Sequence, residues 1–148
     1  IVIRLEEYRY ADAAAIARAA HAGQTDKAGQ PYILHPLRVM DACPGEAQRI
    51  VAVLHDVVED SDWTLDSLRA EGLPDDLAIA LDAVTRREGE DYLDFVRRAG
   101  RNGIARAVKI ADLRDNLDMT RIASPSEADR RRMARYRQAL EILGALPD

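Results

Sequence analysis

At 148 residues the chain is long enough for one domain with a sizeable core and too short for two, so residues 1–148 are expected to form a single unit. Its 47% hydrophobic and 32% charged composition suits a soluble globular protein, and a net charge of −5 argues against nucleic acid as a partner. No apolar run is long enough to span a membrane, no signal peptide opens the chain, and the lone Cys43 excludes an internal disulfide, so a cytoplasmic protein without a membrane partner is expected.

In chain order the sequence predicts helices and loops only. Residues 7–22 carry Tyr8, Ala11, Ala15, Ala19 and Ala22 on one stripe, and the polar, glycine-bearing stretch 23–30 predicts a loop. His35-Pro36 opens a short helix with proline in its first turn, and Pro44-Gly45 separates it from an apolar helix over 46–60. Thr64 caps a helix that stops at Gly72, and Pro74-Asp75-Asp76 begins another that ends near Thr85. Residues 86–91 predict a charged loop, followed by helices over 91–99 and 102–119. Ser124-Pro125-Ser126-Glu127 matches a capping box ahead of a last helix that buries Met133, Tyr136, Leu140 and Leu143. The expected fold is all-α, a bundle of about seven or eight helices.

Ionisable residues interrupt the apolar pattern twice. Residues 50–60 place His55, Asp56, Glu59 and Asp60 among Ile50, Val51, Val53, Leu54, Val57 and Val58, which leave no polar face. Buried charges cost several kcal/mol unless paired or bound to a metal, and a divalent cation held by His55 and Asp56, with the later acids beside it, is the simplest compensation. The second cluster, Lys109, Asp112 and Asn116, shares one helical face, and Asp112 is the best-placed acid to complete such a site. His35 can supply another imidazole, whereas His21 suits the end of the first helix at least as well as a metal. Two imidazoles and two carboxylates make a mixed N/O donor set suited to Mn, Fe, Zn or Co rather than Ca, and a bound water would be acidified for hydrolysis.

These residues carry a family resemblance. The adjacent His55-Asp56, with a separate His upstream and an Asp downstream, resembles the HD superfamily of metal-dependent phosphohydrolases. Four ordered motifs within about 15–122 resemble more closely the hydrolase domain of the RelA/SpoT proteins. They are Ala20-His21-Ala22-Gly23-Gln24, Lys27 to Pro36, Leu54-His55-Asp56-Val57-Val58-Glu59-Asp60, and Val108-Lys109-Ile110-Ala111-Asp112. The resemblance implies an HD-domain fold and a manganese-dependent removal of the 3′-pyrophosphate from the alarmone nucleotide (p)ppGpp. Full-length members continue into a synthetase domain, and a chain ending at Asp148 resembles the stand-alone small alarmone hydrolases.

Carried over position by position, His35, His55, Asp56 and Asp112 fall on metal ligands, and Glu59 and Asp60 on the acidic pair that positions and deprotonates water. Asn116 falls on a nucleotide contact near the metal, and Lys27 and Tyr32 fall in the segment that holds base and ribose. Lys109 and Arg114, with Arg86, Arg87 and Arg97, are candidates to stabilise phosphoryl charge. Two positions depart from the pattern: Asp26 stands where a base-stacking arginine is usual, and Asp115 where a histidine is common. An acid at 26 repels a polyphosphate and cannot stack as a cation. Two alternatives therefore stay open: an HD phosphohydrolase acting on another nucleotide or on the 2′-phosphate of NADPH, and a non-catalytic nucleotide-binding module.

Overall fold

The computed structural model describes residues 8–118 and 124–145. The expected helix limits at residues 7 and 119 lie outside this range. Among the described residues there are eight helices and one further helical turn, no strand, and an isolated antiparallel bridge between Thr25 and Pro31. The elements are α1 (Tyr10–Ala20), α2 (Leu34–Asp41), α3 (Glu46–Leu54), the single turn α4 (Val57–Asp60), α5 (Leu65–Ala70), α6 (Asp75–Ala83), α7 (Tyr92–Gly100), α8 (Gly103–Asn116) and α9 (Glu127–Ile142).

The extra segment arises because the helix expected over 46–60 is broken at His55-Asp56. The His55 N–H reaches back only to the Ala52 carbonyl, at 3.4 Å, and the His55 imidazole bonds the same oxygen at 2.6 Å. That tightening interrupts the regular ladder, which resumes when the Asp60 N–H bonds the Asp56 carbonyl at 2.9 Å. The last helix also starts differently from the sequence expectation. Its cap is Ser126 rather than Ser124, and Asp129, not Glu127, closes the box: Ser126 Oγ accepts the Asp129 N–H at 3.0 Å while Asp129 accepts that of Ser126 at 2.8 Å. The cap at Thr64 forms as expected, with Ser67 as its partner.

Helix α3 is the axis of the fold. Ile50 to Leu54 are all fully buried, because α3 packs against α1, α2, α6 and α8 at once. Ala13, Ala14 and Ala17 bring the backbone of α1 close to it. Helix α8 contributes Ala105 and Val108 to this core and Ile110 and Leu113 to a second cluster with Val96, Ala139, Leu140 and Leu143. Gly100 at the end of α7 lies against Leu143, whose side chain would have to shift to admit a Cβ there, 2.9 Å from Leu143 Cδ2. With α3 and α8 shared among several neighbours, α2, the α3–α4 break and α8 meet in the interior.

Truncating the last residue before the break, Leu54→Ala, should cost about 2–5 kcal/mol of stability by chemical denaturation, the range for a buried leucine that leaves a cavity. A loss below about 1 kcal/mol would contradict the central position of α3.

Candidate metal centre and active site

Three elements each bring one part of the donor set. His35 is in the first turn of α2, His55 and Asp56 form the α3–α4 break, and Asp112 is on the buried side of α8. His35 Nε2 lies 2.8 Å from Asp112 Oδ1 and 3.9 Å from Asp56 Oδ2, and His55 Nε2 lies 3.2 Å from both carboxylates. His35, His55 and Asp56 offer ligand atoms that all lie within 4.8 Å of one another, with Asp112 bonded to both imidazoles. The break is what makes the meeting possible, because it sets Asp56 beside His55.

The outer edges of both imidazoles are tied down. His55 Nδ1 bonds the Ala52 carbonyl at 2.6 Å, and His35 Nδ1 bonds Asp115 Oδ2 at 2.6 Å. With Nδ1 engaged outward, each ring points Nε2 inward, as a metal-binding imidazole does. The carboxylates are supported as well: Tyr32 donates its hydroxyl to Asp56, Lys109 bonds Asp112 Oδ2 at 2.8 Å, and Asn116 donates to Asp112 Oδ1 at 3.2 Å. The Lys109 ammonium is buried and stacks over Phe95 and Tyr92, 5.0 and 5.5 Å from their ring centroids. It therefore acts on Asp112, one step removed from the cleft.

The electrostatics match a site built for a cation. Burial opposes ionisation of Asp56 and Asp112, yet His55 at the first, and Lys109 and His55 at the second, hold both carboxyls below their ordinary range. Burial likewise opposes protonation of the imidazoles, but the flanking carboxylates outweigh it and both His35 and His55 are raised. Two imidazolium protons carry the same charge as one divalent cation. Exchanging them for the ion leaves the buried charge balance unchanged, so the donor set fits a divalent transition metal.

Glu59 and Asp60 stand at the solvent-reached rim of this cluster. Glu59 Oε1 accepts the Arg86 N–H at 2.5 Å, and the Asp60 carbonyl accepts from Gln24, whose other amide end meets the His21 ring. Surrounding protein and the nearby Asp56 charge push both carboxyls above their ordinary values. The Arg86 backbone is positioned in turn by Arg98, which holds Glu90 in a two-bonded fork and the carbonyls of Asp82 and Thr85. Sequence reasoning passed over Arg98 and Glu90, because nothing in their spacing says that they brace a loop. His21 caps α1 and is buried, with its Nε2 unpartnered among the described residues.

A cleft of about 390 Å³ opens beside the cluster, lined by Thr25, Lys27, Tyr32, His35, Asn116 and Tyr136 among others. Its far wall is α9, where Arg132 and the exposed Lys27 both pair with Asp129. The sequence reading used α9 for packing alone and missed Arg132 and Asp129. Arg114 does not reach this cleft; it lines a separate groove with Arg38 and Arg106. Asp26 borders the cleft, but its Oδ1 turns back to accept the N–H groups of Ala28 and Gln30, both at 2.9 Å. It organises its own loop.

No family model matches the chain. It is 30% identical over 146 residues to the guanosine-3′,5′-bis(diphosphate) 3′-pyrophosphohydrolase of Vibrio cholerae, covering 88% of this chain and 20% of that protein. It is 32% identical over 142 residues to the Haemophilus influenzae protein of the same name, covering 86% and 20%, and 30% identical over 144 residues to a probable GTP pyrophosphokinase of Mycobacterium leprae, covering 88% and 18%. The chain thus spans about a fifth of the length of these curated relatives. Among solved structures, one described as a metazoan ortholog of SpoT that hydrolyzes ppGpp superposes with a TM-score of 0.74 at 22% identity, covering 90% of this chain and 84% of that one. At that identity the likeness shows the fold, the helical arrangement described above. Among the described residues no helix is long and apolar enough to cross a membrane.

The histidines and acids give the metal-free protein a defined pH response. His35 and His55 are raised above 6.5, so the stability they add is present below pH 6.5 and is lost as pH climbs through their folded values. Asp56 and Asp112 are lowered, so their contribution is present above 3.8 and lost on acidification. Metal binding requires neutral imidazoles and must release protons. The gain in Tm on adding Mn²⁺ should therefore be larger at pH 9 than at pH 6, as thermal melts of chelator-stripped protein would read; a pH-independent gain would contradict this donor set.

Proposed function

We propose that this HD-type chain, similar to the hydrolase segment of the RelA/SpoT proteins, removes the 3′-pyrophosphate of (p)ppGpp with a divalent metal, Mn²⁺ by preference, to leave GDP or GTP and pyrophosphate. The observation that carries the reading is the convergence of His35, His55, Asp56 and Asp112 on one point with two further acids, Glu59 and Asp60, at its rim. The relatives' names include a pyrophosphokinase as well as pyrophosphohydrolases; a buried imidazole–carboxylate set flanked by acids is what hydrolysis uses.

His35, His55, Asp56 and Asp112 would hold a divalent cation, which when bound would supply acidified water and screen phosphoryl charge. The rest falls to the chain. Glu59, whose carboxylate accepts the Arg86 N–H, and Asp60, whose main-chain carbonyl accepts from Gln24, position the attacking water and one of them takes its proton, a task to which a raised carboxyl is better matched near neutral pH. Tyr32 keeps its proton, because burial and the adjacent Asp56 raise it, and so it stays a hydrogen-bond donor to that carboxylate. The cleft of about 390 Å³ is within the range of a small-molecule site and holds the nucleoside, with Lys27, Asn116 and Tyr136 on its walls.

Glu59→Gln should lower kcat on ppGpp by about 10²–10⁴, the range for losing a general base, while metal content is kept. Because folding raises this carboxyl, its ionised form weakens the fold above its ordinary pKa, and the variant should melt no lower than the parent. Loss of bound metal in that variant would make Glu59 a ligand and contradict the assignment.

Asp26 sets the terms of substrate binding through its loop. Asp26→Asn keeps an acceptor for Ala28 and Gln30 and should leave KM for ppGpp within a few-fold, whereas Asp26→Ala removes both bonds, worth about 1 kcal/mol or more together, and should raise KM about 5-fold or more. Steady-state assays of both variants on ppGpp, pppGpp and NADPH test this. An unchanged KM in the alanine variant would separate the loop from substrate, and higher kcat/KM on NADPH than on ppGpp would replace the alarmone as substrate.

A further inference from the structure

The two imidazoles of the cluster are held by different means, and the difference points outward from α2 and α8. His55 is fixed by a neutral backbone carbonyl, His35 by the carboxylate of Asp115. That carboxylate is itself gripped by the Arg38 guanidinium, Nε to Oδ1 at 2.8 Å and Nη2 to Oδ2 at 3.1 Å, a two-bonded fork. Arg38 follows His35 by three residues on α2, and Asp115 follows Asp112 by three on α8, so each pair shares a helical face one turn apart. The result is two rungs between the helices, His35–Asp112 and Arg38–Asp115, joined by the diagonal bond from His35 Nδ1 to Asp115. Asp115 is largely enclosed, its side chain 13% exposed, so water competes weakly for the diagonal bond.

We propose that Asp115 and Arg38 are a positioning pair for His35: the carboxylate holds the Nδ1 proton and the ring's rotation, and the guanidinium holds the carboxylate in register, so that the affinity of the metal centre is set partly from outside it. This rests on the reading of His35 as a metal ligand. A carboxylate behind an imidazole makes the opposite nitrogen a stronger donor, and losing such a partner typically lowers metal affinity 10–100-fold. Arg38 has two consequences. It keeps Asp115 oriented with one oxygen on the ring, and its positive charge keeps the carboxylate from turning inward to compete with Asp56 and Asp112 for the cation. Arg38 also borders the substrate cleft on one side and the Arg106–Arg114 groove on the other, and thus links ligand geometry to both surfaces.

The experiment is Mn²⁺ and Co²⁺ titration of the chelator-stripped full chain by calorimetry, with the visible d–d spectrum of the Co²⁺ form as a second readout. Parent protein, Asp115→Asn, Arg38→Lys and His35→Ala are compared. Asp115→Asn should weaken metal binding 10–100-fold and alter the Co²⁺ bands. Arg38→Lys, which keeps the charge but loses the fork, should shift both in the same direction by a smaller factor, and it carries the test alone if the asparagine variant does not fold. If His35→Ala loses metal while folded Asp115→Asn and Arg38→Lys match the parent in affinity and spectrum, the pair merely staples α2 to α8 and the proposal is overturned, even where their Tm falls. If the parent binds no metal, or His35→Ala binds it as the parent does, the ligand assignment of His35 fails and the proposal falls with it.

Discussion

Burying two imidazoles and two carboxylates at one point is the constraint on which the rest of this structure depends. Each group alone would be expelled from the interior or forced neutral, since an isolated buried charge costs far more than a domain's margin of stability. Here they tolerate one another because each carboxylate presents one oxygen to the imidazole nitrogens and each imidazole is anchored on its far side. Lys109, in the apolar company of Phe95 and Tyr92, completes the balance at Asp112. The cost of assembling such a cluster explains why the most thoroughly buried helix, α3, runs straight into it.

The same constraint explains the local irregularities. A continuous helix over 46–60 would have held Asp56 about a hundred degrees around the axis from His55, and the Ala52 carbonyl would have been committed to the ladder. Breaking the helix there lets that carbonyl take the His55 ring and sets Asp56 against both imidazoles. The loop before α2 is irregular for a similar reason. The N–H bonds from Ala28 and Gln30 to Asp26, and the pairing of Thr25 with Pro31, close it into a turn that delivers Tyr32 to Asp56.

Most of the buried cluster was legible in the chain because its members are chemically out of place: His55, Asp56 and Asp112 lie in apolar runs, and the fold brings them together. The helix limits were legible where a cap or a glycine marks them, as at Thr64 and Gly72. What could not be read depends on contacts distant in sequence. Asp115 looked like a lost histidine and proves to be the anchor of His35, eighty residues away. Asp26 borders the cleft, and what its identity did not reveal is that its Oδ1 also organises the loop by accepting the N–H groups of Ala28 and Gln30. Ser124 and Ser126 both begin plausible capping boxes, and only the path of the chain selects Ser126 with Asp129. Arg98 and Glu90 carry no local signal at all, because bracing a loop against Glu59 is a property of the assembled fold.

The central claim is that one divalent cation binds where these four side chains meet. Anomalous diffraction at the manganese edge from crystals of the Mn²⁺-loaded chain tests it most directly. One strong peak per chain, bonded to Nε2 of both His35 and His55 and to the carboxylates of Asp56 and Asp112, is the result the account predicts. A peak held by Glu59 and Asp60 in place of the imidazoles, or none at this point at saturating Mn²⁺, would contradict it.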